Sequence, residues 1–251
     1  ADINKKRIKL VSEKYHTNGY LDYKKLLKKE CPDIVSVVVP TKLHKKVSLD
    51  CLNAGSNVLV EKPIASSVKD GEKIVEVARK LGLKLMVGHV ERFNPVVQSL
   101  KKRMKNIGKI FCIEIHRTGP FPRRIRDVGV VVDFGTHDFD IMRYLVGKEI
   151  RKVYAEGQWN IQTKFEDLAK ILLRFENGTL GTIDVNWLTP RKVRTIRVIG
   201  SAGMYEGDFI AQKLTFYENA AFNNGLTYHE VLMKIKEGKK KNILIRKKEP
   251  L

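Results

Sequence analysis

Acid is scarce in this chain. Against 48 lysines and arginines stand only 28 aspartates and glutamates, a formal charge of +20 over 251 residues. Such a balance suits nucleic acid, but the cations are spread along the sequence instead of being gathered in one arm. The two dense runs, 239–241 and 246–248, flank the short strand-like segment NILI, where lysines guard an exposed sheet edge. A basic surface also draws in a small anionic substrate by electrostatic steering. Nucleic acid is therefore the less favoured partner. Cysteine is nearly absent: Cys31, Cys51 and Cys112 form no C-x-x-C, so neither a disulfide framework nor a zinc knuckle is indicated. A reducing cytoplasm is the expected setting. No apolar run is long enough to cross a bilayer, so no membrane role is expected. Ala1 leads directly into charged residues with no signal-peptide core behind it. No H-E-x-x-H and no internal repeat occurs. What remains is a hydrophobic fraction of 43%, that of a globular protein long enough for one large or two smaller cores.

In chain order, Asp2 or Asn4 is placed to cap a helix running to about Tyr15, with Ile8 and Val11 on its inner side. A short helix follows Asp22. The run IVSVVV (34–39) is apolar and rich in branched residues, as expected of a parallel strand buried on both faces. A helix over 43–54, the strand NVLV, a helix over 67–81 and a strand over 83–87 complete an alternating pattern that predicts a Rossmann-like parallel sheet. From Asn94 the pattern changes: a helix to Met104, a strand over 110–116, an arginine-bearing loop over 118–128, a central helix, then mostly strands. The expected architecture is α/β: an incomplete Rossmann sheet in a domain over 1–93, followed over 94–251 by an α+β domain with a large, open, mainly antiparallel sheet. It is incomplete because a dinucleotide-binding sheet opens with a strand and G-x-G-x-x-G, whose helix N-terminus receives the pyrophosphate, and no such turn occurs here. The sequence is accordingly expected to begin inside the fold, and the 251 residues alone to bind dinucleotide poorly. Tight NAD binding by this polypeptide in calorimetry would contradict that.

The central helix carries the most chemistry. In RDVGVVVDFGTHDFDIMRYLVG (126–147) Asp133 and His137 are four apart and share one face of an α-helix. A carboxylate beside an imidazole holds its tautomer and supports its charged form, which prepares a general base. A surface i,i+4 pair is the bland alternative. The apolar neighbours and Gly129 and Gly135, which admit close approach, argue against it.

Three segments together carry a resemblance: VVVPTKLH (37–44), EKPI (61–64) with GHVERFNP (88–95), and DVGVVVDFGTHDFD (127–140). In order and spacing they resemble the glucose–fructose oxidoreductase/inositol dehydrogenase (Gfo/Idh/MocA) family of NAD(P)-dependent enzymes along essentially the whole chain. The resemblance implies a Rossmann domain followed by an α+β domain whose open sheet mediates homo-oligomerisation. It also implies hydride transfer lined by Lys62, Asp133 and His137. His137, or Lys62 in its neutral form, takes the hydroxyl proton; Lys62 as a cation stabilises alkoxide charge. His137 is the favoured base. The cofactor is expected against Asp2, Pro40, Thr41, His44, Glu61 and Lys62. Asp2, placed for the ribose hydroxyls, favours NAD over NADP because a carboxylate repels a 2′-phosphate.

HVERFNP with NWLTPRKVR (186–194) looks most like the branch that oxidises the C3 hydroxyl of UDP-N-acetylglucosamine-type sugar nucleotides. Diphosphate calls for arginine. Of Arg92, Arg117, Arg123, Arg124, Arg191 and Arg194, the two expected on substrate are Arg92 and Arg117, with Asn94 and His137 beside the sugar. Trp187 is expected in the core. The rivals are a free-sugar or inositol dehydrogenase, a metal-dependent hydrolase built on Asp133, His137, Asp138, Asp140 and His116, and a non-catalytic anion or nucleic-acid binder. No resident metal is expected. The dehydrogenase reading rests on Lys62 and His137 converging.

Overall fold

The structure, a computed structural model, describes residues 1–122, 128–161, 164–219 and 238–249. Two compact units divide the chain, Ala1–His89 and Val90–Leu251. The boundary falls after residue 89 instead of 93. The reason is electrostatic: in the short turn Val90–Phe93, Glu91 and Arg92 are ion-paired to residues of the second unit.

In the first unit, α1 (Lys5–Tyr15) is capped by Asn4, whose side-chain oxygen accepts from the N–H groups of Lys6 and Arg7. It buries no residue, contrary to the expected inner face. Ile8 is half-buried and Val11 is 47% exposed, so the expected inner face is only partly covered. Next come α2 (Tyr23–Glu30), β1 (Ile34–Val37), α3 (His44–Asn53), β2 (Asn57–Val60), α4 (Val68–Lys80) and β3 (Leu85–Val87). The strands are parallel in the order β1-β2-β3, with Val37 beside Val60 and Val60 beside Val87. Helices α3 and α4 contribute Leu52 and Ile74 to a core with Val37, Val58 and Val60. Alternate side chains point to the opposite face, where Ile34 and Val38 are 64% and 72% exposed. The expectation of a strand buried on both faces is thus corrected: one face of β1 is covered.

The second unit opens with α5 (Pro95–Arg103), which Asn94 caps through the Val96 N–H with proline in the first turn. After β4 (Ile110–Pro120) the central helix is α6 (Thr136–Val146), preceded by a π turn over Val131–Gly135. Strands β5 (Ile150–Gln158), β6 (Leu168–Phe175), β7 (Leu180–Asn186), β8 (Leu188–Gly200), β9 (Gly203–Asp208), β10 (Lys213–Glu218) and β11 (Lys240–Ile243) follow. Eight strands form one open sheet in the order β11-β10-β9-β8-β4-β7-β6-β5. Every pairing is antiparallel except β4 with β7. The lysine-flanked strand β11 lies at the sheet edge, as its sequence predicts.

Helices α5 and α6 lay Val96, Leu100, Ile141, Met142 and Leu145 against Ile113, Ile115, Leu173, Ile183 and Val198. Each such side chain contributes roughly 1.5–3 kcal/mol on leaving water. Trp187 belongs to this core, edge-on to Phe121 and Phe134. The opposite face carries ion pairs beside exposed apolar groups: Lys170 lies 2.5 Å from Asp184, Arg197 lies between Glu114 and Glu206, and Leu172 faces Tyr154 across the β5–β6 pair. No helix among the described residues is long and apolar enough to cross a membrane.

Candidate active site

In the first unit the sequence-predicted cofactor residues gather at the C-terminal edge of the parallel sheet, where open α/β sheets take their ligands. Pro40 and Thr41 lie in the turn after β1, Glu61 and Lys62 directly after β2, and Gly88 directly after β3. The Glu61 N–H donates to the Val37 carbonyl and the Gly88 N–H to the Val60 carbonyl, so the strand ends are tied together. A Cβ on Gly88 would come within 3.3 Å of the Glu61 carboxylate, a crowded approach that glycine avoids. The Lys62–Pro63 peptide is cis.

His44 has a different place from the one expected. It is 1% exposed, with Nδ1 2.8 Å from the Pro63 carbonyl and Nε2 2.8 Å from the Val39 carbonyl. Its ring ties the loop after β1 to the loop after β2 from behind, so it supports a cofactor edge without facing it. Asp2 accepts from the Asn4 N–H through Oδ1, while Oδ2 has Arg7 at 3.8 Å. An acid, strand-end loops and a partly exposed lysine suit a dinucleotide in kind. The glycine turn for its pyrophosphate is not among the 251 residues.

In the second unit, Asp133 and His137 are half-buried on the central helix. The π turn corrects one expectation. The Thr136 N–H reaches back to the Val131 carbonyl, an i→i+5 bond, so Asp133 sits on a wider turn than α-helical spacing assumes. Such turns recur at functional sites. Glu166 holds the start of this helix: its carbonyl accepts from the Val130 N–H and its carboxylate from the Val131 N–H. A carboxylate there also complements the positive end of the helix dipole.

Gly129 explains itself by that contact, since a Cβ would fall on the Glu166 carboxylate. G129A is expected to displace the cap and lose about 1–2 kcal/mol. That corresponds to roughly 2–8 °C in Tm, read by circular dichroism; an unchanged Tm would remove Glu166 from this role.

The two arginines expected on substrate are both paired with acids of the second unit. Arg117 is 4% exposed; its Nε donates to Asp138 at 2.7 Å and its Nη1 to Glu91 at 3.1 Å. Arg92 forks onto Asp140 through Nε and Nη2 at 2.7 and 2.5 Å and lies over the Tyr144 ring. Asn94 uses its oxygen as a cap and its amide to donate to the Phe209 carbonyl. Arg117 and Asn94 are buried and engaged with protein, whereas Arg92 pairs with Asp140 while its side chain stays 40% exposed. Asp138 and Asp140 are about 200° apart around α6, so the two arginines pin the helix from two sides. Asp138 is fully buried, and burial pushes its carboxyl up to about 6 although Arg117 pulls the other way. Arg123 and Arg124 lie outside the described residues, and Arg191 is exposed.

Sequence reasoning undervalued Glu91, Asp138, Glu166 and Arg194. The available signal was strand alternation: Ile113, Ile115 and Arg117, like Arg194, Ile196 and Val198, place an arginine on the apolar face.

Comparison with known proteins shows the family. Residues 1–89 match the profile of the Gfo/Idh/MocA oxidoreductase family, NAD-binding Rossmann fold, and residues 97–206 match the Gfo/Idh/MocA C-terminal domain. The chain belongs to the Gfo/Idh/MocA family. Myo-inositol 2-dehydrogenase of Thermotoga maritima is 28% identical over 244 residues, 91% of this chain and 72% of that protein. UDP-N-acetylglucosamine 3-dehydrogenase of Acidithiobacillus ferrooxidans is 29% identical over 189 residues, 75% of this chain but only 59% of that protein's length. A solved structure of the latter enzyme, GnnA, superposes with a TM-score of 0.86 at 25% identity, covering 98% of this chain and 75% of that one. The WlbA dehydrogenase of Chromobacterium violaceum, solved with NADH and UDP-GlcNAcA, gives 0.75 at 26% identity, covering 82% and 64%.

Proposed function

We propose that the protein is an NAD-dependent oxidoreductase that oxidises a secondary hydroxyl of a sugar, the C3 hydroxyl of a UDP-N-acetylglucosamine-type sugar nucleotide. The observations that support the reading are the half-buried Asp133 in the π turn and His137 at the start of α6, with Glu166 holding the start of the turn and Arg92 and Arg117 paired to Asp140 and Asp138. So much charge spent on orienting one short helix suits a site where a proton must leave along a defined direction.

His137 takes the hydroxyl proton and Asp133 supports the cation that results. Lys62 stabilises the developing alkoxide. NAD, when bound, supplies the hydride acceptor, and Asp2, Pro40, Thr41, Glu61 and Lys62 are the residues we assign to holding it. Asp2 favours NAD over NADP, since its carboxylate repels a 2′-phosphate. The outer face of the eight-stranded sheet, where ion pairs lie beside exposed apolar groups, is the surface we assign to a homo-oligomer, and the cytoplasm is the proposed location.

The test is turnover by the complete protein, with its glycine turn, followed as NADH absorbance, with UDP-N-acetylglucosamine against myo-inositol and free N-acetylglucosamine. Preference for the nucleotide sugar by 100-fold or more in kcat/KM is expected. Preference for myo-inositol would replace the substrate with a polyol and leave the reaction class standing. A metal-dependent hydrolase is the poorer reading, because Asp138 and Asp140, the acids such a site would draw on, are bound to arginines. Among the described residues no set of three acid, histidine or cysteine side chains is placed to hold a metal.

A further inference from the structure

Arg194 differs from its neighbours. It lies directly across the β4–β8 pair from Arg117, two cations side by side on one face of the sheet. Like charges so placed repel. Arg117 is neutralised by Glu91 and Asp138, whereas Arg194 makes no ion pair with any described carboxylate. Its Nη1 donates to the Thr118 carbonyl at 2.7 Å and to the Val193 carbonyl at 2.9 Å. Its guanidinium plane lies over the Phe134 ring, 4.3 Å from the centroid.

The head group is thereby fixed on one edge and one face. Nε and Nη2 make no hydrogen bond to a described protein group, and the side chain is partly exposed. A guanidinium's free edge of this kind matches a carboxylate or a phosphate in two parallel bonds. Asp133 acts on the Arg194 charge through space, so the cation lies near the first of the two residues assigned to proton transfer. The fold accepts a cost for it: burial and the neighbouring Arg117 bring Arg194 down to about 10, with Asp138, Glu91 and Asp133 acting to restore it.

We propose that Arg194 is a substrate-recognition residue that receives an oxyanion of the substrate on its free Nε–Nη2 edge, beside Asp133. The inference rests on the proposed reading of the substrate as an anionic sugar nucleotide. It adds an anion contact beyond Arg92 and Arg117, whose guanidiniums already pair with Asp140 and with Glu91 and Asp138. The oxyanion is either the diphosphate or a carboxylate on the sugar ring.

Calorimetric titration with UDP, inorganic pyrophosphate and glucuronate, without cofactor, separates these sources and needs no turnover. It therefore stands or falls independently of whether the protein oxidises a sugar. R194M is expected to weaken the recognised anion by about 10- to 100-fold, the worth of a charge-assisted bidentate contact. Loss confined to UDP and pyrophosphate assigns the diphosphate; loss confined to glucuronate assigns the ring carboxylate. R194K, which keeps the charge without the fork, is expected to recover only part of the affinity. If activity is present, KM for the anionic sugar rises in R194K with little change in kcat. R194Q, checked for a wild-type unfolding midpoint, guards against a folding defect in R194M. Wild-type affinity for all three anions in R194M and R194Q, or no binding of any of them by the unaltered protein, overturns the proposal.

Discussion

His137→Asn is expected to lower kcat by about 100- to 10,000-fold, the usual worth of a positioned general base, with substrate and NAD affinities changed by less than about threefold. Asparagine keeps the size and one hydrogen-bonding edge of the ring but cannot carry the proton away. The measurement is NADH production at saturating substrate, with binding followed separately by calorimetry. Retention of more than a tenth of wild-type kcat would assign the base elsewhere, and Lys62 is the next candidate. K62M tests it in the same experiment. If Lys62 and His137 act on one transition state, their losses are far from additive, and K62M/H137N is scarcely worse than the poorer single variant. Additive losses would mean that the two residues serve separate steps. The cycle thus tests whether the two side chains serve one chemical step.

The second large effect is on stability. R117M is expected to cost about 3–5 kcal/mol, because it leaves Glu91 and Asp138 without their buried counter-charge. Urea denaturation followed through the tryptophans, both in the second unit, measures it. R117M/D138L, which removes charge from both ends of the closer contact, is expected to recover part of the loss. Stability equal to wild type in R117M would show that the pairing carries no weight.

The same cluster dictates a pH dependence of definite sign. Asp138 binds its proton more tightly in the folded protein, to about 6, than at the ordinary value of 3.8. Between these values the folded state holds more protons than the unfolded one, so this group's contribution is fully present below about 3.8 and is lost as pH rises through about 6. D138N has no such titration. The stability of wild type relative to D138N should therefore fall from pH 4 to pH 6.5 and stay level above it. A difference that is flat over that range would count against a carboxyl raised by burial. The expected direction is opposite to that of Asp70 and Glu149, whose paired carboxylates are lowered and lose their contribution in acid.

Much of the outline was legible in the residues. The strand–helix alternation of the first unit, the helices after Asp22 and Asn94 and over 67–81, and the central helix ending at Gly147 follow from local pattern, and the lysine-guarded edge strand does too, although it begins at Lys240 and ends at Ile243. Each depends on near neighbours: period, branching, a cap side chain and a turn residue, physics that acts within a few residues. The motif that carries Asp133 and His137 was visible for the same reason, and so was the family to which it belongs.

What the residues alone left open was decided by distance in space. Sheet register and helix docking bring Arg92 and Arg117 against Asp140 and Asp138, acids 48 and 21 residues away in the sequence. His44 looks like a cofactor contact until two loops fold over it and offer it carbonyls. The parallel pairing of β4 with β7, the exposed face of β1 and the free edge of Arg194 likewise depend on which elements become neighbours. A sequence determines which side chains are apolar, charged or able to turn the chain. Which charges meet, and so which one is left to bind a substrate, is settled only when packing brings distant segments together, because burial and partner choice are properties of the assembled surface.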